Sequence, residues 1–237
     1  MFDFNGKIIV VTGAAGNLGQ AVVRAFLDQG GSVCALDYQM GRLTEVFTDI
    51  QDPNLKLFEE VDVTDLDSLK AISGNIHDYN GNVDVLVNTV GGFSSGEPVH
   101  ELSASTWRKM LNLNVISFIN CSKIFIPDML EKNKGKVITI GAKSSLKGGA
   151  KSGAYAASKA ALLRLTESMA EELKSHNIQV NCVLPSTIDT PQNRDAMPQA
   201  DFSKWVSPGK IAEVILFLCS SAAEEITGAA IPVYGST

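Results

Sequence analysis

The sequence predicts an α/β fold built on a single doubly wound, parallel sheet of seven strands with helices on both faces. Short apolar runs alternate with longer segments of helical period along the 237 residues. A glycine-rich turn joins the first apolar run to the first helical segment. No linker, repeat or low-complexity segment divides the chain, so we expect residues 1–237 to form one domain.

Seven runs are predicted to be strands because they are short and almost entirely apolar, as strands buried on both faces are. They lie at residues 8–11, 32–36, 55–61, 83–87, 136–140, 178–183 and 230–233. Because consecutive parallel strands are joined by right-handed crossovers, the intervening helices should cover both faces of the sheet.

Six segments carry apolar residues at helical spacing and are predicted to be helices. They lie at about residues 18–29, 41–50, 66–79, 105–132, 154–175 and 208–221. The longest stretch without a regular pattern is 185–207. Long loops in compact domains are commonly functional, so we expect a substrate lid there.

Composition restricts the classes of function. A net charge of −6 argues against nucleic acid or an anionic membrane surface as a partner and favours a small-molecule substrate. The first residues lack the pattern of a signal peptide, and we expect no uninterrupted apolar span of membrane length, so the predicted location is the cytoplasm. The four cysteines are scattered without C-x-x-C spacing, which indicates buried, reduced thiols and no metal site.

The turn after the first strand indicates a nucleotide site. Gly13, Asn17, Leu18 and Gly19 belong to a glycine-rich segment between the first strand and the first helix. Glycines let the backbone approach a pyrophosphate, and the following helix N-terminus stabilises its charge. A plain packing turn is the alternative when this turn is considered by itself.

Asp37 ends the next strand and favours NAD over NADP. A carboxylate at this place accepts hydrogen bonds from the adenosine ribose hydroxyls and repels a 2′-phosphate. Arg42 is the nearby cation that could weaken this preference. A capping aspartate is the alternative.

Two further strand ends face the same crevice. Asp62 and Val63 follow the third strand, where the carboxylate could hold the adenine amino group or simply cap a helix. Asn88 and Gly91 follow the fourth strand, where glycine permits close approach to a cofactor and Asn88 can brace the backbone. An ordinary turn is the alternative for this pair.

Tyr155 and Lys159 are the main catalytic candidates. A separation of four residues places phenol and ammonium on one helix face, where the cation can lower the pKa of the phenol and make it a proton donor. Asn114 lies inside a predicted helix, and by itself it indicates only a solvated or back-bonded residue.

Taken together, the turn at residues 12–19, Asn88-x-x-Gly91 and Tyr155-x-x-x-Lys159 resemble the short-chain dehydrogenase/reductase family over the whole chain. The resemblance implies a Rossmann-type, NAD(P)-dependent oxidoreductase. It implies that Tyr155 donates the proton, that Lys159 lowers the pKa of Tyr155 and holds the nicotinamide ribose, and that Asn114 holds a proton-relaying water.

The resemblance also implies further contacts and an assembly. Cofactor contacts are expected at Pro185, Ile188 and Thr190, where the lid segment begins. The helices predicted at 105–132 and 154–175 carry small and apolar residues suited to close packing across a two-fold axis. A homodimer or homotetramer is therefore expected.

One position departs from the family pattern. The family usually has a serine thirteen positions before the tyrosine, and this chain has Ala142. Either Ser144 or Ser145 supplies the hydroxyl through a shifted loop, or the substrate needs no hydroxyl aimed at a carbonyl oxygen. Both serines could instead satisfy loop backbone.

The Gly141-Ala142-Lys143 turn without the serine and the runs 189–194 and 197–205 resemble the dihydropteridine reductase branch of the family, which also has an aspartate at the place of Asp37. That branch uses NADH to reduce quinonoid dihydropterin, a flat conjugated ring. Phe93, Phe202 and Trp205 could enclose such a ring, although lid packing would explain them equally well.

Three functions are therefore considered. The first is NADH-dependent reduction of a flat heterocycle such as a dihydropterin, and the second is reduction of a carbonyl or a 3-oxoacyl thioester. The third is a non-catalytic nucleotide-binding protein, which only the missing serine supports and which the retained Tyr155, Lys159 and Asn114 oppose. Fold similarity alone does not decide the substrate.

Overall fold

The computed structural model describes residues 2–236, except the side chains of residues 79 and 80. Seven parallel strands form one sheet in the order β3-β2-β1-β4-β5-β6-β7. The strands are β1 (Ile8–Thr12), β2 (Ser32–Leu36), β3 (Leu55–Phe58), β4 (Val85–Asn88), β5 (Gly135–Ile140), β6 (Ile178–Pro185) and β7 (Ala230–Val233). The predicted seven-stranded parallel sheet is confirmed.

Helices cover both faces of this sheet. They are α1 (Asn17–Leu27), α2 (Arg42–Val46), α3 (Leu66–Asn80), α4 (Ala104–Leu111), α5 (Ser117–Lys132), α6 (Gly153–Leu173), α7 (Pro191–Ala196) and α8 (Pro208–Cys219). Alternate residues of β1 face opposite sides, so Ile9 and Val11 pack with α1 and α8 whereas Val10 packs with α3, α5 and α6.

Strand order places the crevice of the fold between β1 and β4. The chain leaves β1 to one side for β2 and β3, then crosses back to form β4 on the other side of β1. In open α/β sheets, ligands bind outside the carboxyl ends of the strands at such a switch point. The predicted nucleotide turn and Asn88 both lie at this point.

Two predicted elements are much shorter than expected. The strand predicted at 55–61 ends at Phe58, because Glu60 takes a left-handed conformation with φ 59°. The helix predicted at 41–50 is only Arg42–Val46, because Phe47 leaves helical geometry and Asp49 is held by a bidentate ion pair to Arg24 of α1 at 2.7 and 2.8 Å.

The helix predicted at 105–132 is continuous but not uniform. Between α4 and α5 the chain forms a π-helical segment, Asn112–Ile116, which is a distortion frequently found at functional sites. The run Ala104–Lys132 is long and apolar enough to cross a membrane, which differs from the expectation that no segment would be. Because 56% of its most apolar window is buried inside the fold, packing accounts for that composition.

The lid segment, residues 185–207, is more ordered than its sequence pattern predicts. Pro185 is the last residue of β6, and the segment contains the short helix α7. Pro191 begins α7 with the fixed φ that suits a first helical position, and Thr190 Oγ1 accepts a hydrogen bond from the Asn193 backbone at 3.2 Å.

Candidate active site

The carboxyl ends of β1 and β4 are tied together at the base of the crevice. Thr12 Oγ1 donates to Asn88 Oδ1 at 2.8 Å, and Thr89 Oγ1 donates to the Thr12 carbonyl at 2.6 Å. Asn88 and Thr12 are fully buried. Asn88 therefore ties β4 to β1 through the Thr12 side chain, whereas the bond to the backbone comes from Thr89.

The glycine-rich turn closes tightly onto α1. A Cβ on Gly19 would overlap the Gly13 carbonyl and lie 2.7 Å from the Ala14 Cα, so only glycine fits there. Asn17 is the first residue of α1, and no side chain caps this helix at Gly16. The first amide groups of α1 can therefore bind an anionic group such as a pyrophosphate.

A cavity of about 220 Å³ lies beside this turn. Nine residues line it: Gly13, Asp37, Tyr38, Val61, Asp62, Val63, Thr64, Val90 and Leu113. The structure thus brings together four predicted residues from three separate strand ends: Gly13, Asp37, Asp62 and Val63. The other five, Tyr38, Val61, Thr64, Val90 and Leu113, were not predicted as site residues, although Tyr38 could have been found because it directly follows Asp37.

The two carboxylates of the cavity differ in their contacts. Asp37 is buried and accepts hydrogen bonds from the Ala15 and Gln39 backbone at 3.1 and 3.3 Å, which fix its orientation. Asp62 Oδ1 accepts from both the backbone and the hydroxyl of Thr64 at 2.8 Å. The helix-cap alternative is therefore wrong for Asp62, because Asp65 caps α3; Asp62 forms a turn with Thr64 and also lines the cavity.

These residues fit an NAD(P) nucleotide. The tight glycine turn admits a pyrophosphate, the cavity accommodates an adenosine, and Asp37 is fixed at its wall. Gly91 continues this surface toward the catalytic candidates, because a Cβ there would lie 2.9 Å from Asn114 Oδ1 and 3.0 Å from Lys159 Nζ.

Asn114 is buried and hydrogen-bonded to two other segments, and it is not a solvated helical residue. It lies in the π-helical segment and is fully buried. Its Oδ1 accepts from the Gly92 backbone at 2.9 Å, while its Nδ2 donates to the Gly92 carbonyl at 3.0 Å and to Ser158 Oγ at 2.9 Å. Both ends of the amide are thus engaged, and Ser158 is a member of the site that sequence reasoning missed.

Lys159 is buried on α6 and points toward the end of β5. Its Nζ donates to the Ile140 carbonyl at 2.7 Å. Loss of hydration by burial lowers the pKa of Lys159 to about 8. An ammonium held this close to neutrality can exchange its proton during a reaction.

Tyr155 lies one helical turn before Lys159. Its ring makes an edge-to-face contact with Phe93, with centroids 4.9 Å apart and an interplanar angle of 77°. Burial raises the pKa of Tyr155 to about 12, so the expectation that Lys159 would lower it is not met in this structure. Ser158 Oγ donates to the Tyr155 carbonyl at 2.8 Å and connects this turn of α6 to Asn114.

The turn that carries Ala142 contains no hydroxyl at the family's serine position. Ala142 is buried, and its backbone amide donates to Ser145 Oγ at 3.0 Å. Ser145 is itself buried, which agrees with the interpretation that it satisfies loop backbone. Ser144 is half-buried on the same turn.

The lid residues predicted to contact a cofactor have structural partners of their own. Ile188 forms a bridge with Val206 and accepts at its carbonyl from Asn193 Nδ2 at 2.8 Å. Thr190 caps α7. One contact was not predicted: Asn17 Nδ2 donates to Gln192 Oε1 at 2.8 Å and joins the glycine-rich turn to the lid segment.

The two lid aromatics pack within the lid. Phe202 and Trp205 have ring centroids 4.8 Å apart, and the Arg194 guanidinium lies 4.9 Å from the Phe202 ring. Arg194 is fixed by a bidentate ion pair to Asp189 at 2.6 and 2.7 Å. The packing interpretation therefore accounts for Phe202 and Trp205, whereas Phe93 contacts Tyr155.

The protein-family model for short chain dehydrogenases matches residues 7–201 of this chain. The chain belongs to the short-chain dehydrogenase/reductase family. It is therefore an oxidoreductase of a family that binds NAD(P), and the predicted family and Rossmann-type fold are confirmed. The relatives described below give no support to the narrower resemblance to dihydropteridine reductases.

Curated relatives and solved structures match over almost the whole chain. The 3-oxoacyl-[acyl-carrier-protein] reductase FabG of Thermotoga maritima is 28% identical, with 97% of each chain covered. The cis-4-hydroxycyclohexanecarboxylate dehydrogenase of Sinomonas cyclohexanicum is 31% identical, covering 98% of this chain and 96% of the relative. The structure of gox2181 matches with a TM-score of 0.92 at 27% identity, covering 98% and 96%. The structure of ElxO with NADP bound matches with a TM-score of 0.89 at 26% identity, covering 97% of each chain.

Proposed function

We propose that the protein is an NADH-dependent reductase of a flat conjugated heterocycle such as a dihydropterin. The observation that carries this proposal is the buried methyl group of Ala142 at the family's serine position, combined with a retained Tyr155 and Lys159. A carbonyl substrate benefits from a second hydroxyl aimed at its developing oxyanion. A conjugated ring takes up a hydride and a proton without that group.

The proposed mechanism assigns one task to each side chain. When bound, the nicotinamide supplies the hydride. Tyr155 donates its phenolic proton to the ring nitrogen that becomes basic, and its raised pKa keeps that proton in place at neutral pH. The Lys159 ammonium stabilises the phenolate that results. Asn114 bonds both Gly92 and Ser158, which holds the segment after β4 at a fixed position relative to α6.

The preference for NADH rests on Asp37. This carboxylate is buried at the wall of the proposed adenosine cavity, where a 2′-phosphate would meet electrostatic repulsion. The bound NADP of ElxO is a property of that protein.

Replacing Asp37 with alanine is expected to reduce the preference for NADH over NADPH. Removal of the carboxylate abolishes repulsion of the 2′-phosphate and also removes the acceptor for the ribose hydroxyls. The measurement is kcat/KM for each nucleotide with one substrate. Equal or better efficiency of the unmodified protein with NADPH would contradict the proposal.

Carbonyl or 3-oxoacyl thioester reduction is the second candidate, and the comparisons support it at least as well. Relatives that match the whole chain include a 3-oxoacyl-[acyl-carrier-protein] reductase and a hydroxycyclohexanecarboxylate dehydrogenase. In this candidate Ser144 supplies the missing hydroxyl, since Ser144 is half-buried on the turn after β5 while Ser145 is bonded to Ala142.

The serine variants distinguish the two candidates. If the substrate is a flat heterocycle, Ser144→Ala should change turnover only slightly, whereas a carbonyl reductase that uses Ser144 should lose about 100-fold or more. Ala142→Ser is the reciprocal variant and should increase ketone reduction without improving dihydropterin reduction. A large loss in Ser144→Ala on every active substrate would establish the carbonyl candidate.

The direct test of substrate class is steady-state NADH oxidation with quinonoid dihydropterin, simple ketones, quinones and an acetoacetyl thioester. Preferred turnover of the dihydropterin supports the first candidate, and preferred turnover of the thioester or ketones supports the second. Absence of turnover with tight NADH binding would support a non-catalytic nucleotide-binding protein, against which the retained catalytic residues argue.

We also propose that the protein acts in the cytoplasm on a small molecule, as a homodimer or homotetramer. Exposed apolar side chains on the run from α4 to α5, including Trp107, Ile116 and Leu130, support a helical interface. Analytical ultracentrifugation tests the assembly.

A further inference from the structure

Phe93 combines large exposure with a fixed position beside the catalytic phenol. Phe93 is 68% exposed, and its ring makes an edge-to-face contact with the Tyr155 ring at a centroid distance of 4.9 Å. Single exposed apolar residues are common on protein surfaces and need no explanation. An exposed aromatic ring that contacts the candidate proton donor is different, because apolar surfaces beside reacting groups bind substrate.

The backbone next to Phe93 is held in place by hydrogen bonds to the preceding residue, Gly92. Both the amide and the carbonyl of Gly92 are bonded to Asn114, at 2.9 and 3.0 Å. A side chain at Gly92 would also collide with Leu113 and Met110, since a Cβ there would lie 2.7 Å from Leu113 Cδ1 and 3.2 Å from Met110 Cε. The Phe93 ring therefore projects from a constrained segment.

Asn114 is also connected, through Ser158, to Tyr155, the other residue of the ring pair. Asn114 Nδ2 donates to Ser158 Oγ at 2.9 Å, and Ser158 Oγ donates to the Tyr155 carbonyl at 2.8 Å. Hydrogen bonds through Asn114 and Ser158 thus connect Gly92 to the backbone of Tyr155. The rings of Phe93 and Tyr155 provide a second contact between the same two segments. These contacts hold the backbone on both sides of the ring pair, next to the residue proposed to donate the proton.

We infer that Phe93 determines substrate specificity by packing against an unsaturated ring of the substrate beside the Tyr155 hydroxyl. The position that would otherwise orient the substrate through a hydroxyl is the buried Ala142. Aromatic contact then takes over the orienting role, and substrates with a flat ring next to the reacting atom gain affinity over saturated ones. The inference rests on the proposed reductase chemistry, but it applies whether the reacting group is a ring nitrogen or a ketone.

The test compares the binding of two ketones of similar size, acetophenone and cyclohexyl methyl ketone, to the protein saturated with NAD⁺. Dissociation constants are measured by ligand-observed NMR, which does not require turnover. The wild type should bind acetophenone more tightly, and Phe93→Leu should reduce that preference roughly two- to tenfold. Phe93→Tyr keeps the ring and should retain the preference.

Phe217→Leu is the matched control, because Phe217 is an exposed phenylalanine on α8, on the opposite face of the sheet from α6. It should leave the binding ratio unchanged. The inference is overturned if neither ketone binds, if the wild type does not distinguish them, or if Phe93→Leu weakens both equally. Reduction of quinonoid dihydropterin is measured in parallel, so that failure of the proposed substrate is separate from failure of the role of Phe93.

Discussion

Tyr155→Phe is expected to lower turnover by about 10²- to 10⁴-fold while NADH binding stays nearly unchanged. The substitution removes only the hydroxyl, so the edge-to-face packing with Phe93 and the hydrogen bond from Ser158 to the Tyr155 carbonyl are retained. Single-turnover oxidation of bound NADH measures the chemical step, and the fluorescence of NADH on titration measures its dissociation constant.

The contrast between the two measurements decides the role of the phenol. A loss in the chemical step alone identifies Tyr155 as the proton donor. Near-normal turnover in Tyr155→Phe would show that Tyr155 is a packing residue and that the proton comes from water or from the substrate. A parallel loss of thermal stability would indicate damage to the fold, which the retained ring contact makes unexpected.

The positions of the strands could be predicted because buried parallel strands have a strong local signal. The strands predicted at 32–36 and 230–233 are correct to the residue, and the other predicted strands differ from the structure only at their ends. The end of β3 was misplaced because the left-handed conformation of Glu60 depends on its surroundings. Local propensity contains no information on such a constraint.

The π-helical segment shows what pattern analysis misses. Asn112–Ile116 lies inside a periodic helix, and nothing in the local sequence predicts a change in hydrogen bonding. The distortion accompanies the contacts of Asn114 with Gly92 and Ser158, which are 22 and 44 residues away along the chain. These long-range bonds form only when β4, the π segment and α6 have come together.

The candidate site was predicted by residue type, but its electrostatics were not. A spacing of four residues correctly placed Tyr155 and Lys159 one turn apart on α6. It could not show that burial would raise the pKa of the phenol, or that the ammonium would donate to the Ile140 carbonyl. Desolvation depends on the packed surroundings, which a helical spacing does not describe.

Lys159→Met is expected to inactivate the enzyme and to stabilise its fold at neutral pH. The pKa of Lys159 is lowered to about 8 from 10.5, which corresponds to a cost on the order of 3 kcal/mol for keeping the buried group charged at pH 7. Methionine fills similar space without charge. Loss of the hydrogen bond to the Ile140 carbonyl offsets part of the gain, so a net stabilisation of about 1–2 kcal/mol is expected. Turnover should fall about 100-fold or more because the phenolate loses its cation.

The pH dependence of unfolding provides the decisive measurement for this variant. Between about pH 8 and pH 10.5 the folded protein has released the Lys159 proton while the unfolded chain still holds it, so the unfolded state binds more protons. The free energy of unfolding of the wild type should therefore gain from this residue as the pH rises through that window, and Lys159→Met should lack the gain. Lys123→Met, at an exposed lysine of α5, is the control and should keep it. The prediction is wrong if Lys159→Met is less stable than the wild type at pH 7 and its urea unfolding has the same pH dependence. In that case the buried ammonium does not destabilise the fold, and Lys159 does not cost stability in return for catalysis.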